Sequence, residues 1–295
     1  MSLTEQLKYQ FKSGGIYIKI IYINVGIYVI FIILNTLFTL MKWNFNPNFL
    51  ESYLTFSSSP IMFIKRPWTI FTYMFLHGSF WHIFNNMLIY FFTARMFEDL
   101  LGKKAALNTY IIGGFCGAIL YLITHNLFPL YRDLGNIPML GASAAVMAIF
   151  VGLATYTPNF EVMLFGLLRV KMKYLAIIWV AFDVLGLANQ DGIAHFAHIG
   201  GAVWGYTFVR NFKKGIDISN WFTYFLKTID SIFKRKKIKI VYKTKKPKKK
   251  PENSKSSENI RQEKVDAILD KIKASGYESL SKEEKDYLFD ASKNI

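Results

Sequence analysis

Four polar side chains stand within otherwise apolar stretches of this sequence and could together hydrolyse an amide bond: Ser143, His198, His82 and Asn86. A serine hydroxyl is a poor nucleophile until an imidazole removes its proton, so Ser143 and His198 are the predicted nucleophile and base. His82 and Asn86 are four residues apart on one face of a predicted helix, where they could donate hydrogen bonds to the oxyanion formed when a carbonyl is attacked. The set therefore predicts nucleophilic acyl transfer.

Each residue of this set also has a plainer structural interpretation. A lone serine in a membrane helix usually bonds to a carbonyl one turn earlier, and lone histidines or amides often serve helix packing. Small residues favour the catalytic interpretation, because Gly141 with Ala145, and Gly201 with Gly205, have the small-x-x-x-small spacing that lets helices approach closely. A hydrogen bond between a serine and a histidine on two helices requires that approach.

The elements that must position these side chains are apolar helices. The 295 residues are 52% hydrophobic with a formal charge of +16 and a mean hydropathy of +0.23, so apolar and basic segments are separated along the chain. Stretches of roughly 20 apolar residues can cross about 30 Å of hydrocarbon. We predict an all-α, polytopic membrane protein with spans at residues 20–41, 80–97, 105–128, 143–156, 175–187 and 193–212. Apolar flanks such as residues 162–168 could extend the short fourth and fifth spans.

Loop charges predict the orientation of these six spans. Lys and Arg are concentrated before the first span, in alternate loops and after the sixth span, and short basic loops remain in the cytoplasm. The exception is the connection 42–68, which carries positive charge on the outer side and is interpreted as an ordered or interfacial segment. Both termini are then cytoplasmic, in a multi-pass protein of a bacterial-type inner membrane. Spans two, four and six run inward, so Ser143, His198 and His82 share roughly one depth in the outer part of the bilayer.

Three segments resemble the signature motifs of rhomboid intramembrane proteases: Gly141-Ala142-Ser143, Ala197-His198-Ile199-Gly200-Gly201 with Gly205, and His82-Ile83-Phe84-Asn85-Asn86. Their order and spacing also match, and the similarity covers roughly residues 68–212. The resemblance implies a six-helix rhomboid-like bundle and a serine–histidine dyad that works without a catalytic carboxylate. It also implies an oxyanion site made by His82, Asn86 and the Ser143 backbone amide, and transmembrane protein substrates cut near the outer surface.

The sequence departs from the family pattern at two positions. Ala144 stands where a glycine usually follows the nucleophile, and Met147 stands where a ring often packs on the catalytic histidine. The added methyl could widen the approach of spans four and six, and a thioether orients an imidazole less firmly than an aromatic face. Neither change removes a reacting group, so activity is expected to be retained, in a slower or more selective form.

Two further polar residues belong to the outer ends of the last two spans. Asp183 is interpreted as a hydrogen-bonding partner, since the family works without a third catalytic residue. His195, one turn before His198, is interpreted as structurally bonded, with a place in the cavity of His198 as the alternative.

Three other functions were weighed against proteolysis. A rhomboid-like protein that binds transmembrane clients without cutting them is the alternative. A proton-coupled transporter would need paired acidic residues along a path, and Asp183 alone supports it weakly. A zinc protease is nearly excluded, because no His-Glu-x-x-His helix is present and Cys116 is the only cysteine. No cofactor or metal ion is therefore predicted.

Composition divides the chain into a cytoplasmic N-terminal segment at 1–19, a membrane domain at 20–212, a basic juxtamembrane segment and linker at 213–258, and a small helical appendage at 259–295. No cleaved signal peptide is expected at the polar N-terminus. Residues 216–233 could form an interfacial helix, and the basic run 234–250 should be attracted to anionic lipid at about 1 kcal/mol per charge. Nucleic acid is not a predicted partner, because no folded module accompanies the run. A helix is predicted over 263–274, ended by Gly276 and followed by a Ser281–Glu284 capping box.

Overall fold

The structure is a computed structural model that describes residues 2–42, 48–164, 166–189, 192–233 and 255–292. The chain divides into two compact units, Met1–Lys234 and Arg235–Ile295. The basic run predicted to attract lipid, 234–250, lies outside the described residues. The membrane-domain prediction therefore concerns the first unit alone.

The first unit consists of helices and two short antiparallel strand pairs. Its elements in chain order are α1 (Leu3–Ser13), α2 (Ile16–Leu40), α3 (Asn48–Leu54), β1 (Phe56–Ser57), α4 (Pro60–Lys65), α5 (Thr69–Thr72), a 3-10 turn (Tyr73–Phe75), α6 (Phe80–Leu101), α7 (Lys103–Leu127), α8 (Pro129–Arg132), β2 (Pro138–Met139), α9 (Ser143–Tyr156), β3 (Glu161–Leu164), β4 (Leu168–Lys171), α10 (Met172–Gly186), α11 (Ile193–Phe212) and α12 (Asn220–Phe233). The predominantly helical fold is as predicted. The connection 42–68 is ordered over its described part, since it contains α3, β1 and α4.

Six helices coincide with the six predicted spans to within about one helical turn at each end: α2, α6, α7, α9, α10 and α11. In the described part of the chain, α2 and α7 are long and apolar enough to cross a bilayer by length and composition, and α9 is apolar but shorter. Only 11% of the most apolar window of α2 is buried, whereas 61% of that of α7 is buried. α2 is thus a peripheral helix and α7 a central one.

The stretch 162–168 does not extend the fourth span, so that expectation was wrong. It belongs to a β-hairpin in which Val162 pairs with Val170 and Leu164 with Leu168. Pro158 explains the end of α9 at Tyr156, because a proline cannot donate to the helix and disfavours helical backbone at the residue before it.

Glycines bring α9 and α11 into backbone contact. A β-carbon added to Gly201 would overlap the carbonyl oxygen of Ala144, and one added to Gly205 would overlap that of Ala148. Because the obstacle in each case is backbone, no side-chain movement can relieve it. The predicted small-residue approach of the serine helix and the histidine helix is therefore present.

Replacing Gly205 by alanine is expected to lower the stability of the first unit by about 2 kcal/mol, because the new methyl must push α9 and α11 apart. Gly26 in α2 offers a matched control, since nothing lies within 4 Å of a β-carbon added there. Gly26→Ala should be neutral or stabilising by up to about 1 kcal/mol, since alanine favours helix. Thermal unfolding in detergent checks both, and equal melting temperatures for the two variants would contradict the close approach.

Two contacts hold the loop that precedes the serine helix. β1 pairs with β2, with Phe56 opposite Met139, and this links the connection 42–68 to the loop that leads into α9. The Gly141 amide then donates to the Tyr73 carbonyl over 3.0 Å. The start of α9 is thereby fixed from two sides.

The ends of the bundle opposite Ser143 are joined by polar contacts. Glu98 of α6 accepts a hydrogen bond from the Tyr17 amide over 3.1 Å, capping the start of α2. Asn108 of α7 donates to the hydroxyl of Ser219 over 2.9 Å, just before α12 begins. The segment 216–233, predicted to form an interfacial helix, is thus helical over α12 and attached to α7.

The second unit contains α13 (Lys255–Ser275), a 3-10 turn (Tyr277–Ser279) and α14 (Lys282–Ser292). Gly276 has a φ of +77°, which favours glycine and ends α13 as predicted. The Ser281 amide donates to Glu284 over 2.8 Å and the Glu284 amide to Ser281 over 3.2 Å. The predicted capping box is confirmed.

Candidate active site

Ser143 is the first residue of α9, directly after Ala142 as the N-cap. Amides in the first turn of a helix have no partner within the helix, and the helix dipole makes this end positive. Gly141, two residues earlier, has a φ of +124°, a conformation that favours glycine. The serine therefore sits at a sharp entry into a helix, with its own amide available to a developing negative charge.

His198 of α11 is held by a carboxylate on the neighbouring helix α10. Its Nδ1 lies 2.8 Å from Oδ1 of Asp183. A carboxylate oxygen accepts, so Nδ1 carries the proton and Nε2 is left as the basic nitrogen. The described residues show no hydrogen bond between this histidine and Ser143, a contact that often tightens only when substrate binds.

Asp183 is shared by two histidines. Nδ1 of His195 lies 2.6 Å from the same oxygen that accepts from His198, and the aspartate is only 2% exposed. The predictions of Asp183 as a hydrogen-bonding partner and of His195 as a bonded residue are confirmed. The sequence interpretation missed that His198 is one of the partners, although Asp183 is the only carboxylate in the apolar stretch 175–187.

The same three side chains have potential ligand atoms within 4.8 Å of one another, as a cation site would require. Both Nδ1 atoms, however, lie at hydrogen-bond distance from one oxygen of Asp183. That geometry is the one expected of two imidazole donors on one acceptor, so we interpret the cluster as a hydrogen-bond network.

His82 of α6 lies beside the serine loop. A β-carbon placed on Gly141 would be 2.7 Å from Nε2 of His82 and 3.8 Å from Oγ of Ser143. The backbone conformation favours glycine at position 141, and a side chain there would also have to displace the His82 ring. The histidine and the serine are brought together at this point of the fold.

Asn86 is buried on α6 one turn after His82. Its Nδ2 donates to the His82 carbonyl over 2.9 Å, a bond within its own helix. An amide nitrogen has two protons, so one remains for a further acceptor. The oxyanion role of Asn86 remains a prediction.

His77 is a further neighbour of the site that the sequence did not single out. Its ring lies edge-on to that of His82, with centroids 5.0 Å apart. Burial lowers the pKa of His77 to about 3, and the neighbouring His82 contributes in the same direction. His77 is therefore neutral near pH 7 and packs against His82 as an uncharged ring.

The two departures from the family pattern are both buried. A β-carbon added to Gly117 of α7 would lie 2.6 Å from the β-carbon of Ala144, so the added methyl faces α7 and not α11. A glycine on the facing helix accommodates it, and the α9–α11 contact is kept. Met147 is fully buried, as a filler of the helix interface.

The first unit is thus a helical bundle in which a serine begins one helix and a carboxylate-bound histidine lies on a helix packed against it. The chain belongs to the rhomboid family, since residues 65–213 match the Rhomboid domain. Residues 254–294, in the second unit, match a domain family of unknown function, DUF6576.

Two curated proteins of Arabidopsis thaliana are similar to this chain. "RHOMBOID-like protein 12, mitochondrial" is 28% identical over 203 residues, which cover 65% of this chain and 56% of that protein. "RHOMBOID-like protein 7" is 26% identical over 157 residues, which cover 48% of this chain and 42% of that protein. The chain thus spans about half the length of these relatives.

Proposed function

We propose that this protein is an intramembrane serine endopeptidase that cuts transmembrane protein substrates in or near their membrane segments. The observation that carries the proposal is the hydrogen bond from His198 to the buried Asp183. His198 lies on α11, which is in backbone contact with α9, the helix that Ser143 begins. It leaves the basic nitrogen of the imidazole available to a serine. Family membership supports the reaction class.

In the proposed reaction, Nε2 of His198 takes the proton of Ser143 as Oγ attacks the scissile carbonyl carbon. The resulting oxyanion is stabilised by the Ser143 amide, His82 and Asn86. Asp183 stabilises the imidazolium, which then gives its proton to the departing amine and leaves an acyl-enzyme. Water, activated by His198, attacks the ester, and the serine leaves with its proton restored.

The six helices that coincide with predicted spans are proposed to cross the membrane. Apolar side chains are exposed where lipid would contact them, among them Ile30, Leu88, Ile119, Phe182 and Val203. Such side chains would be costly in water and favourable in hydrocarbon. Loop charges support the proposal that both termini lie in the cytoplasm of a cell with a bacterial-type inner membrane, with Ser143 towards the outer side.

The segments outside the six helices are proposed to be accessory. The basic run 234–250 would bind anionic lipid at the cytoplasmic face, and the helical appendage would also be cytoplasmic. We propose that the N-terminal segment 1–19 and the helical appendage 259–295 are both cytoplasmic.

A fluorophosphonate probe tests the proposal. The purified protein is expected to form a covalent adduct on the peptide that contains Ser143, and to cleave reporters from a library of single-span proteins in liposomes. Mass spectrometry of the adduct and gel analysis of the reporters report the two results. Capture of intact single-span proteins, without adduct or cleavage, would contradict the proposal and favour the non-cleaving alternative.

A further inference from the structure

A crevice of about 730 Å³ opens between α9, α10 and α11, at the ends of these helices that lie away from Ser143. α9 and α11 touch along their backbones, whereas α10 is held at mid-length by its Trp179 ring against Phe150, 5.1 Å between centroids. Near the opposite end of α10, Asp183 bonds to the histidines of α11. The first half of α10 is therefore the part that stands apart from the other two helices.

The wall of the crevice is mainly apolar. Val151 of α9 and Ala176, Ile177 and Val180 of α10 contribute to it. In the proposed membrane arrangement this space borders the hydrocarbon, so an acyl chain is the available filler. If the crevice were empty, the side chains of its walls would lose dispersion contacts on that side.

Three cations stand at one end of the same crevice: Lys173, Arg210 and Lys213. Among the described residues none of the three forms an ion pair. Lys213 donates to the carbonyl of Thr155 over 3.0 Å. Each of the three cations also lies near a tyrosine ring: Lys173 near Tyr174, Arg210 near Tyr206 and Lys213 near Tyr156. Within the described residues their charges thus face rings and a carbonyl and not a carboxylate. Three positive charges from two helices therefore converge where an apolar crevice ends.

We propose that this crevice binds one glycerophospholipid with an anionic head group, its phosphate held by Lys173, Arg210 and Lys213 and one acyl chain lying along α10. The inference rests on the membrane arrangement of the proposed function and not on its chemistry. Several Lys and Arg donors can compensate the negative charge of a phosphate. The apolar wall favours a ligand that also carries an acyl chain. None of the residues proposed to hold this lipid belongs to the basic run 234–250, which lies outside the described residues.

Occupation of the crevice also bears on the candidate active site. A lipid between α10 and the α9–α11 pair would fix the position of α10, and α10 carries Asp183 at its other end. Anionic lipid is therefore expected to raise the fraction of molecules in which the hydrogen bond from His198 to Asp183 is formed.

Binding is measured on the full-length protein by native mass spectrometry in mild detergent, with dioleoylphosphatidylglycerol, dioleoylphosphatidylcholine or inorganic phosphate added. The first phosphatidylglycerol should bind at least about tenfold more tightly than phosphatidylcholine, because the three cations attract a head group with a net negative charge. The triple variant Lys173→Gln, Arg210→Gln, Lys213→Gln should lose that preference. A matched variant, Lys103→Gln, Arg169→Gln, Lys214→Gln, removes three exposed charges outside the crevice and should keep it. Ala181→Trp fills the crevice without changing charge and should weaken binding as well.

Photoactivatable phosphatidylglycerol locates the bound lipid, with the expected cross-link on the peptide that contains α10. Equal binding of the two lipids, an unchanged triple variant, or displacement of the lipid by millimolar inorganic phosphate would overturn the inference. None of these measurements requires proteolysis, so a protein that fails to cleave can still bind the lipid. Extraction of membranes at alkaline pH tests the membrane arrangement separately.

Discussion

Replacing Ser143 by alanine is expected to abolish cleavage of a single-span substrate while the protein stays folded. His198→Ala should have the same effect, because an unactivated serine and an imidazole without a nucleophile are equally unable to form the acyl-enzyme. The expected loss is at least about 10⁴-fold in kcat, and the double variant should be no worse than either single variant, since the two residues act as a unit. Initial rates of reporter cleavage in liposomes measure the effect.

Two controls separate chemistry from folding in this experiment. Ser231, an exposed serine of α12, can be changed to alanine and should leave both cleavage and fluorophosphonate labelling unaltered. The thermal unfolding of Ser143→Ala should match that of the unchanged protein. Substantial proteolysis by purified Ser143→Ala would refute the dyad, whichever residue then proved responsible.

The positions of the helices could be predicted from the sequence because apolar length is a local property. Ser143 begins α9 and His198 lies in the second turn of α11, as the apolar periodicity indicated. The hairpin at 161–171 was missed because a short apolar run is compatible with a helix or a strand. Pro158 was the local signal that could have decided between them.

A test of length and hydropathy alone finds fewer of these six helices than coincide with predicted spans, in part because of the polar residues of the candidate site. α6 contains His82 and Asn86, and α11 contains His195, His198 and several glycines. These residues lower the mean hydropathy of the helices that hold the candidate chemistry, while α2, which contributes no candidate site residue, passes the length and composition test. Polar residues in a membrane helix thus indicate a functional site, and they also make the helix harder to recognise from hydropathy.

The sharing of one aspartate oxygen by two histidines could not be predicted from the sequence. It depends on how α10 and α11 are rotated about their axes, which local patterns do not encode. Asp183 and His198 belong to different helices, and residues 190–191 between them lie outside the described residues. The family resemblance predicts a dyad without a carboxylate, and the geometry places a carboxylate on the base. These two views differ in a measurable way.

Replacing Asp183 by asparagine is expected to lower kcat at least about 100-fold, a smaller loss than the roughly 10⁴-fold found when an amide replaces the triad aspartate of soluble serine proteases. An asparagine can present an N–H to Nδ1 of His198, which then carries its proton on Nε2 and cannot accept one from Ser143. The fold should survive, because asparagine has nearly the same shape. Stopped assays of reporter cleavage, with melting temperature as the folding check, measure the loss.

The split between kcat and KM separates a positioning role of Asp183 from a merely structural one. In the proposed reaction Asp183 contacts His198 and not the substrate, so Asp183→Asn should lower kcat and leave KM nearly unchanged. His195 bonds to the same oxygen of Asp183 and is therefore the neighbour to vary as a control.

His195→Gln provides the matched variant, since it removes the second imidazole and leaves the aspartate and His198 in place. It should cost less than about tenfold in kcat, because the bond that orients the base remains. EDTA should leave the unchanged protein fully active, and inactivation that added zinc reverses would instead assign the cluster to a metal ion. If Asp183→Asn cleaves at the unchanged rate, while Ser143→Ala is inactive, the histidine works without its carboxylate and Asp183 serves only to join α10 to α11.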